Sequence, residues 1–496
     1  MTVSVQKPNP SGKRSTPQTP PSTSVPLPTE KSFLGIGRSM FVPLVVACAL
    51  FMEMVDATVI STAIPVIAQD FGKDPLVLKL GLSAYLVSLA VFIPVSGWVA
   101  DRFGSLVVFC AAIATFMVSS MACGLSRSFT FFVVARFVQG IGGAMMVPVG
   151  RMVIVRSVPR EELVTAFLYL TVPATLGPLT GPILGGFITT YFSWRWIFFI
   201  NVPISIVGFI FALRCMENFR EDEVPPLDTI GFLLSAFGLS LFMFGISTIS
   251  EQMISVKLAS GFIAVGIATT YAYLRRARRE EKPLLDFRLF NLRTFRAGVG
   301  GGSIYRIGMG ALPFLLPLML QLGFGLSPFQ SGLLTCASAV GALFIRTLTK
   351  QLLRLLGFRT LLGLNALLSS ITIAAIGLFT ARTSHTLIFL VLLVGGGFRV
   401  MQFNVLNTIA YAEVPDRDVS QATSIFATVQ QLSLGIGVTL GAFFLQASNF
   451  LQHHSQIVAD DFWPAFLAVG LFSAASAYSA FALPSDAGAE MAGRAK

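Results

Sequence analysis

The chain has 496 residues, of which Asp, Glu, Lys and Arg make up only 12% while hydrophobic residues make up 54%, with 45 Phe among them. Soluble domains are about a quarter charged, so this composition excludes a soluble protein. The 35 basic and 24 acidic residues leave a net charge of +11, which in a membrane protein reflects cytoplasmic loops rather than a nucleic-acid surface.

Residues 1 to about 32 are rich in Pro, Ser and Thr with scattered Lys, and they lack the apolar stretch of a signal peptide. They read as a disordered cytoplasmic tail. Beyond them, apolar runs bounded by charges or Gly and Pro recur about every 32 residues, one helix and one short loop each. Fourteen spans are expected, at residues 40–67, 76–99, 105–124, 130–154, 163–190, 194–214, 228–248, 257–275, 296–322, 327–348, 358–380, 384–411, 419–447 and 462–483. The predicted class is therefore an all-α integral membrane protein, closed by a second cytoplasmic tail at 484–496.

The basic residues orient the spans, because cytoplasmic loops carry the excess Lys and Arg. With the N-terminus inside, 24 basic residues fall on inner segments and 6 on outer ones. Arg136, Arg151, Arg296, Arg306 and Arg399 lie within or at the edge of spans. The densest inner segment runs from Arg275 and Arg276 through Arg278, Arg279, Lys282 and Arg288 to Arg293. It reads as a topology-fixing loop rather than a lipid-specific site. This loop, 276–295, divides a six-helix block at 40–214 and an extra pair at 228–275 from a second six-helix block at 296–483. Two such blocks suggest duplicated halves around a site at the bilayer midplane. Asp101-Arg102-Phe103-Gly104 after span 2 has a partial echo in Leu355-Leu356-Gly357-Phe358-Arg359 after span 10.

Charge inside a bilayer is costly, so each intramembrane charge is a functional candidate. Span 1 holds Glu53 and Asp56, three residues apart and so on one helix face, where burial disfavours both being charged at once. One acid that gains and loses a proton is what a proton-coupled pump requires, and Asp56, ahead of Glu53, is the expected carrier. The plainer reading is that one of them pairs permanently with an intramembrane Arg such as Arg136 and only joins two helices. Span 4, from Arg136 through Gln139, Gly140 and Gly142 to Ala144, joins an arginine that needs a polar partner to small residues that admit another backbone. Span 5 carries Gly177, Pro178, Gly181, Pro182, Gly185 and Gly186, a density of helix breakers suited to close packing, bending and gating. Arg306 and Arg399 extend the polar set into the second block as cavity candidates, or else they snorkel or pair structurally.

These stretches resemble the major facilitator superfamily, and within it the fourteen-span drug:proton antiporters. Asp56 to Pro65 is similar to the signature that opens that branch, with Ser61 where Asn is usual. Gly97 to Gly104, including Asp101 and Arg102, resembles the loop between spans 2 and 3 whose acid latches neighbouring helices. Ser105 and Leu106 stand where two basic residues normally follow. Arg136 to Gly143 is similar to the span 4 motif whose Arg is linked to proton transfer. Gly177 to Gly186 resembles the antiporter motif of span 5, and Ser193 to Pro203 the start of span 6. Gly142 to Arg151 is especially similar to the MdtD-like subgroup of multidrug exporters.

The resemblance implies a major facilitator fold with 14 transmembrane helices, as two six-helix bundles plus two extra helices. It implies proton-coupled efflux by alternating access, with Asp56, Glu53 and Arg136 in proton coupling and no cofactor beyond the proton gradient. The implied partners are a small amphipathic or drug-like substrate and the lipid bilayer, with no nucleic acid. A monomer in the inner membrane is expected, with both termini cytoplasmic. Export of an endogenous metabolite, amino acid or siderophore would use the same motifs. A membrane-embedded enzyme would need clustered acids or His at a membrane face. The one such group, His453 and His454 near Asp460 and Asp461, reads as a solvated loop. The five cysteines show no disulfide or metal spacing, and no metal site is expected. A channel is disfavoured because no filter-like segment is present.

Overall fold

Without water to satisfy peptide groups, a chain this apolar crosses a bilayer as helices, which bond their own backbone. The computed structural model describes residues 38–159, 162–224, 226–249, 254–280, 283–454 and 456–491, and among them there are helices and turns but no strand. The expected tail at 1–32 and the end of the second tail, 492–496, lie outside the described residues. The first block comprises α1 (Arg38–Asp70), α2 (Lys79–Phe103), α3 (Ser105–Gly124), α4 (Phe129–Ser157), α5 (Leu163–Tyr191) and α6 (Asn201–Cys215). An extra pair follows, α7 (Thr229–Ile249) and α8 (Val256–Ala277). The rest is α9 (Gly302–Leu318), α10 (Pro328–Thr335), α11 (Ala337–Ile376), α12 (His385–Ala410), α13 (Val419–Leu451) and α14 (Phe462–Ala474).

Thirteen segments among the described residues are long and apolar enough to cross a membrane. The remaining expected span coincides with α5, which has 29 residues. Two boundaries depart from expectation. Spans 10 and 11 were expected to be parted by a loop, but α11 stays helical up to Gly357, where φ 75° and ψ 168° reverse the chain. The intervening Lys350 to Leu356 contains no helix breaker, so only Gly357 can turn it. Span 9 begins early, at Arg293, and wide π turns flank α9 at Arg296–Gly301 and Met319–Gly323. The second π turn follows Pro313 and Pro317, whose missing N–H groups loosen the regular ladder.

Gly357 has a counterpart in Gly104, at φ 98°, between α2 and α3. Both glycines occupy left-handed backbone that a side chain disfavours. The partial sequence echo thus corresponds to a shared chain-turning device. At Gly104 a Cβ would also meet the Asn218 side chain, 2.8 Å from its Cγ. Ser105 and Leu106 anchor that same segment. Phe219 N–H donates to Ser105 Oγ (3.0 Å), and Leu106 N–H donates to Asn218 Oδ1 (3.1 Å).

The helix connections define two ends. One end, which includes the basic segment 275–293, is called the Arg-rich end, and the other the far end. At the far end one apolar core joins both blocks, running from Val55, Ile64, Leu78 and Phe132 to Phe314, Leu320, Ile376 and Phe466. Towards the Arg-rich end the cores separate. The cluster around Val46, Phe109 and Met146 contains no residue of α9–α14, and the cluster around Tyr305, Phe358 and Met401 contains none of α1–α6. The far-end seam also carries specific bonds: Gln321 Nε2 donates to Thr62 O (2.9 Å), and Phe329 N–H to Thr190 Oγ1 (3.0 Å). Phe329 packs against Phe187 and Tyr191, with ring centroids 6.0 and 5.9 Å apart. The apolar cores of the two blocks therefore merge at the far end and separate towards the Arg-rich end, apart from a small cluster around Val91 and Met243 against which Leu432 and Ile436 of α13 pack.

Gly357→Ala is expected to cost about 1–2 kcal/mol through its left-handed backbone, and Gly104→Ala at least as much because Asn218 must also move. Gly97→Ala, which meets open space, should leave stability unchanged. Thermal unfolding of the three variants in detergent tests this ranking.

Candidate functional site

Asp56 lies midway along α1, and the structure surrounds its carboxylate with donors from two other helices. Arg136 of α4 donates from Nη1 to Asp56 Oδ2 at 2.7 Å. Gln139, one turn further along α4, donates from Nε2 to Oδ1 at 2.9 Å, and Asn201 at the start of α6 donates from Nδ2 to the same oxygen at 2.9 Å. Asn201 Nδ2 also donates to Ser120 Oγ of α3 (3.0 Å), which in turn donates to Phe198 O (2.9 Å). Arg136 Nη1 donates to Gln139 Oε1 as well (2.6 Å), and its guanidinium lies 4.5 Å from the Tyr85 ring centroid of α2. Asp56, Arg136, Gln139 and Asn201 are each at most 1% exposed, so this is a dry ion pair satisfied by amides. Such a pair ties helices together because neither charge can be left alone.

The structure thus joins Arg136 to Asp56, as the plainer sequence reading had it for one of the two acids. Gln139 and Asn201 stand inside stretches that the sequence reading quoted but gave no role. Their signal was chemical, since an amide at membrane depth needs partners just as a charge does. Glu53, one turn from Asp56 towards the Arg-rich end, is buried differently. Its Oε2 has no hydrogen-bond partner among the described residues. The charged groups that face it are Arg151 of α4 and Asp56.

The glycines of α5 form a ridge against α1. A Cβ on Gly177 would strike Met54, on Gly181 the Thr58 side chain, and on Gly185 the Val59 carbonyl. Thr58 Oγ1 donates to Met54 O (2.8 Å), so α1 presents its polar groups inward along this contact. Gly186 faces the opposite way, onto Pro328 and Phe329 of the second block, while the Pro182 carbonyl abuts Gly332 of α10. This stretch is therefore where α5 meets both α1 and the far-end seam. Gly140 of α4 packs in the same manner against Tyr85 O and Ser88 of α2.

The remaining motif residues are not gathered at this site. Asp101 accepts from Arg156 Nη2 of α4 at 3.2 Å, and Arg156 also meets Glu221 at 2.9 Å, all partly exposed at the Arg-rich end. Arg102 is exposed, and Gly97 has nothing within 4 Å of an added Cβ. Arg306 and Arg399 are buried in the second block and neither snorkels. The His453–Asp461 segment is less solvated than expected. Asp461 is buried at the start of α14 and accepts from Val458 N–H and Asn449 Nδ2, with His454 Nδ1 at 2.9 Å. Among the described residues no group of His, Cys, Asp and Glu could hold a metal ion.

Comparison with known proteins gives a consistent picture. The profile of the Major Facilitator Superfamily matches residues 46–229 and 299–493, passing over most of α7, α8 and the basic loop. The "Putative multidrug resistance protein MdtD" of Cronobacter sakazakii is 36% identical over 450 residues, covering 89% of this chain and 94% of that protein. That of Escherichia coli is 35% identical over 445 residues, with the same coverage. Among solved structures, a D-xylose-proton symporter matches with a TM-score of 0.66 at 16% identity, covering 90% of this chain and 98% of its own. A bacterial homologue of the human lysosomal transporter Spinster, inward-facing and unoccupied, matches with a TM-score of 0.64 at 16% identity, covering 90% and 96%. At these identities the structural likeness speaks for the fold alone.

Arg136→Gln strands the Asp56 carboxylate and is expected to cost about 3–5 kcal/mol, whereas Asp56→Asn combined with Arg136→Gln should cost clearly less. Denaturant unfolding of both variants in detergent measures the difference; equal stabilities would mean the two charges are not coupled.

Proposed function

The chain belongs to the major facilitator superfamily, and on that footing we propose that it exports small amphipathic, drug-like molecules in exchange for inward-moving protons. It is a multi-pass membrane transporter, and its relatives and fold neighbours are transporters rather than enzymes. The observation that carries the reading is the one-sided closure of the two blocks. A carrier that alternates visits states sealed at one end and divided at the other, whereas an open channel is divided at both.

With the Arg-rich end in the cytoplasm of a cell whose inner membrane holds the protein, both termini are cytoplasmic and this conformation faces inward. Facing outward requires the far-end seam to part, where Gln321 meets Thr62 and Gly186 meets α10. The energy source is the proton gradient, and the protein works as a monomer without a cofactor.

Glu53 takes up and releases the proton in this reading, because it is the intramembrane acid with an oxygen left without a partner. Asp56 fastens α1 to α4 and α6 within the first block, and its charge faces the neighbouring Glu53. The names of the relatives support a drug-like cargo.

In proteoliposomes, Glu53→Gln should abolish transport driven by a proton gradient while leaving gradient-free substrate exchange intact. Asp56→Asn should impair both. Gradient-driven transport that survives in Glu53→Gln at wild-type rate would remove Glu53 as the carrier.

A further inference from the structure

The second block carries its intramembrane charge unlike the first. No Asp or Glu occurs between Asp286 and Glu413, and none lies in α9–α14. Arg306 and Arg399 are nevertheless buried there. A guanidinium keeps its charge at any pH a cell offers, and at membrane depth an unanswered charge is costly. The first block answers Arg136 with Asp56. The helices of the second block offer no carboxylate with which to do the same.

Each arginine has one buried nitrogen without a partner among the described residues, Nε in Arg306 and the terminal Nη1 in Arg399. Arg306 donates from Nη1 to Gly298 O (3.1 Å) and from Nη2 to Asn407 Oδ1 (3.4 Å), and it lies 4.6 Å from the Phe426 ring centroid. Arg399 donates from Nη2 to Ser338 Oγ (2.8 Å), while its Nη1 has no partner among the described residues although the residue is only 6% exposed.

Arg399 also sits in a repeated frame. Arg399-Val400-Met401-Gln402 in α12 repeats Arg136-Phe137-Val138-Gln139 in α4, and these are the fourth spans of their blocks. Both glutamines anchor their helix to neighbours: Gln402 accepts from Asn365 Nδ2 (2.8 Å) and donates to Leu362 O (3.1 Å). The frame recurs, but the acid does not. Gly395, one turn before Arg399, lets the guanidinium and Thr372 pack closely against its backbone. A Cβ there would stand 2.9 Å from Arg399 Nη1 and 3.0 Å from Thr372 Oγ1.

We propose that Arg399, with Ser338, Thr372 and Gly395 around it, is an anion subsite that takes a carboxylate of the transported molecule. The cargo then supplies in the second block the negative charge that Asp56 supplies in the first. This deepens the transport reading and rests on it: the cargo is an amphipathic acid, with its charged end on Arg399. Arg399 takes no part in proton transfer, which stays on α1.

The test uses the purified full-length protein in detergent and three probes that share one ring system: naphthoate, naphthyl methanol and naphthyl trimethylammonium. Binding is read as thermal stabilisation across a concentration series. Naphthoate should bind the wild type at least about tenfold more tightly than either of the others, as expected for a charge-assisted contact. That advantage should vanish in Arg399→Gln, survive in part in Arg399→Lys, and shrink in Gly395→Ala, where the charge is kept but the space is filled. Equal binding of the three probes to the wild type overturns the proposal even if Arg399→Gln fails to fold, and so does an undiminished naphthoate preference in a folded Arg399→Gln. Because binding is read without a gradient, a negative result here leaves proton exchange standing, and a failure of proton exchange leaves this result standing.

Discussion

A bilayer core offers no water to a buried charge or peptide group, and this constraint organises the molecule from its backbone to its site. It forces the chain into self-satisfied helices and forbids a charge without company. Asp56 and Arg136 lie at membrane depth as a pair, and Gln139 and Asn201, the latter held by Ser120, satisfy the carboxylate further. The cluster therefore draws α1, α3, α4 and α6 to one point. Because hydrophobic burial gives little drive between helices in lipid, such polar contacts and close backbone approaches do much of the holding.

The close approaches come from glycine. Gly177, Gly181 and Gly185 set α5 against α1, Gly140 sets α4 against α2, and Gly341 and Gly396 set α11 against α12. In each place a single added methyl group would meet a neighbouring helix. Packing this tight resists gradual deformation, so a change of conformation favours parting along a seam over bending of the cores. The far-end seam, with one bond from Gln321, one from Phe329 and an apolar interface, is such a place. The extra helices brace its flank: Ser247 of α7 shares a hydrogen bond with Thr439 of α13 (3.0 Å), and Met243 reaches Gly435.

Charge is divided asymmetrically across this frame. The first block holds the intramembrane acids, and the second holds cations without them. On the proposed reading, proton handling and anion recognition fall on different blocks. A carrier built this way must bring both into register each time it reorients, which gives the two blocks separate chemical tasks despite their shared architecture.

Much of this was legible in the sequence. The all-helical membrane class followed from apolar runs, thirteen of which recur as membrane-length helices among the described residues, because span length is set by bilayer thickness. The intramembrane charges were legible for the same reason that they are rare. The segments of Gly104 and Gly357 echo one another in sequence, but their chain reversals and the helical stretch up to Gly357, whose charged residues end the apolar run, emerge only in the structure. What the sequence could not decide was partnership. Whether Arg136 answers Glu53 or Asp56 depends on an angstrom-scale rotation between α1 and α4, and both acids lie on the same helix face. Gln139 and Asn201 were visible as letters, but an amide reveals its role only by what it touches. The one-sided closure and the open nitrogen of Arg399 belong wholly to tertiary structure, because each arises from helices far apart in the chain whose meeting no local pattern encodes.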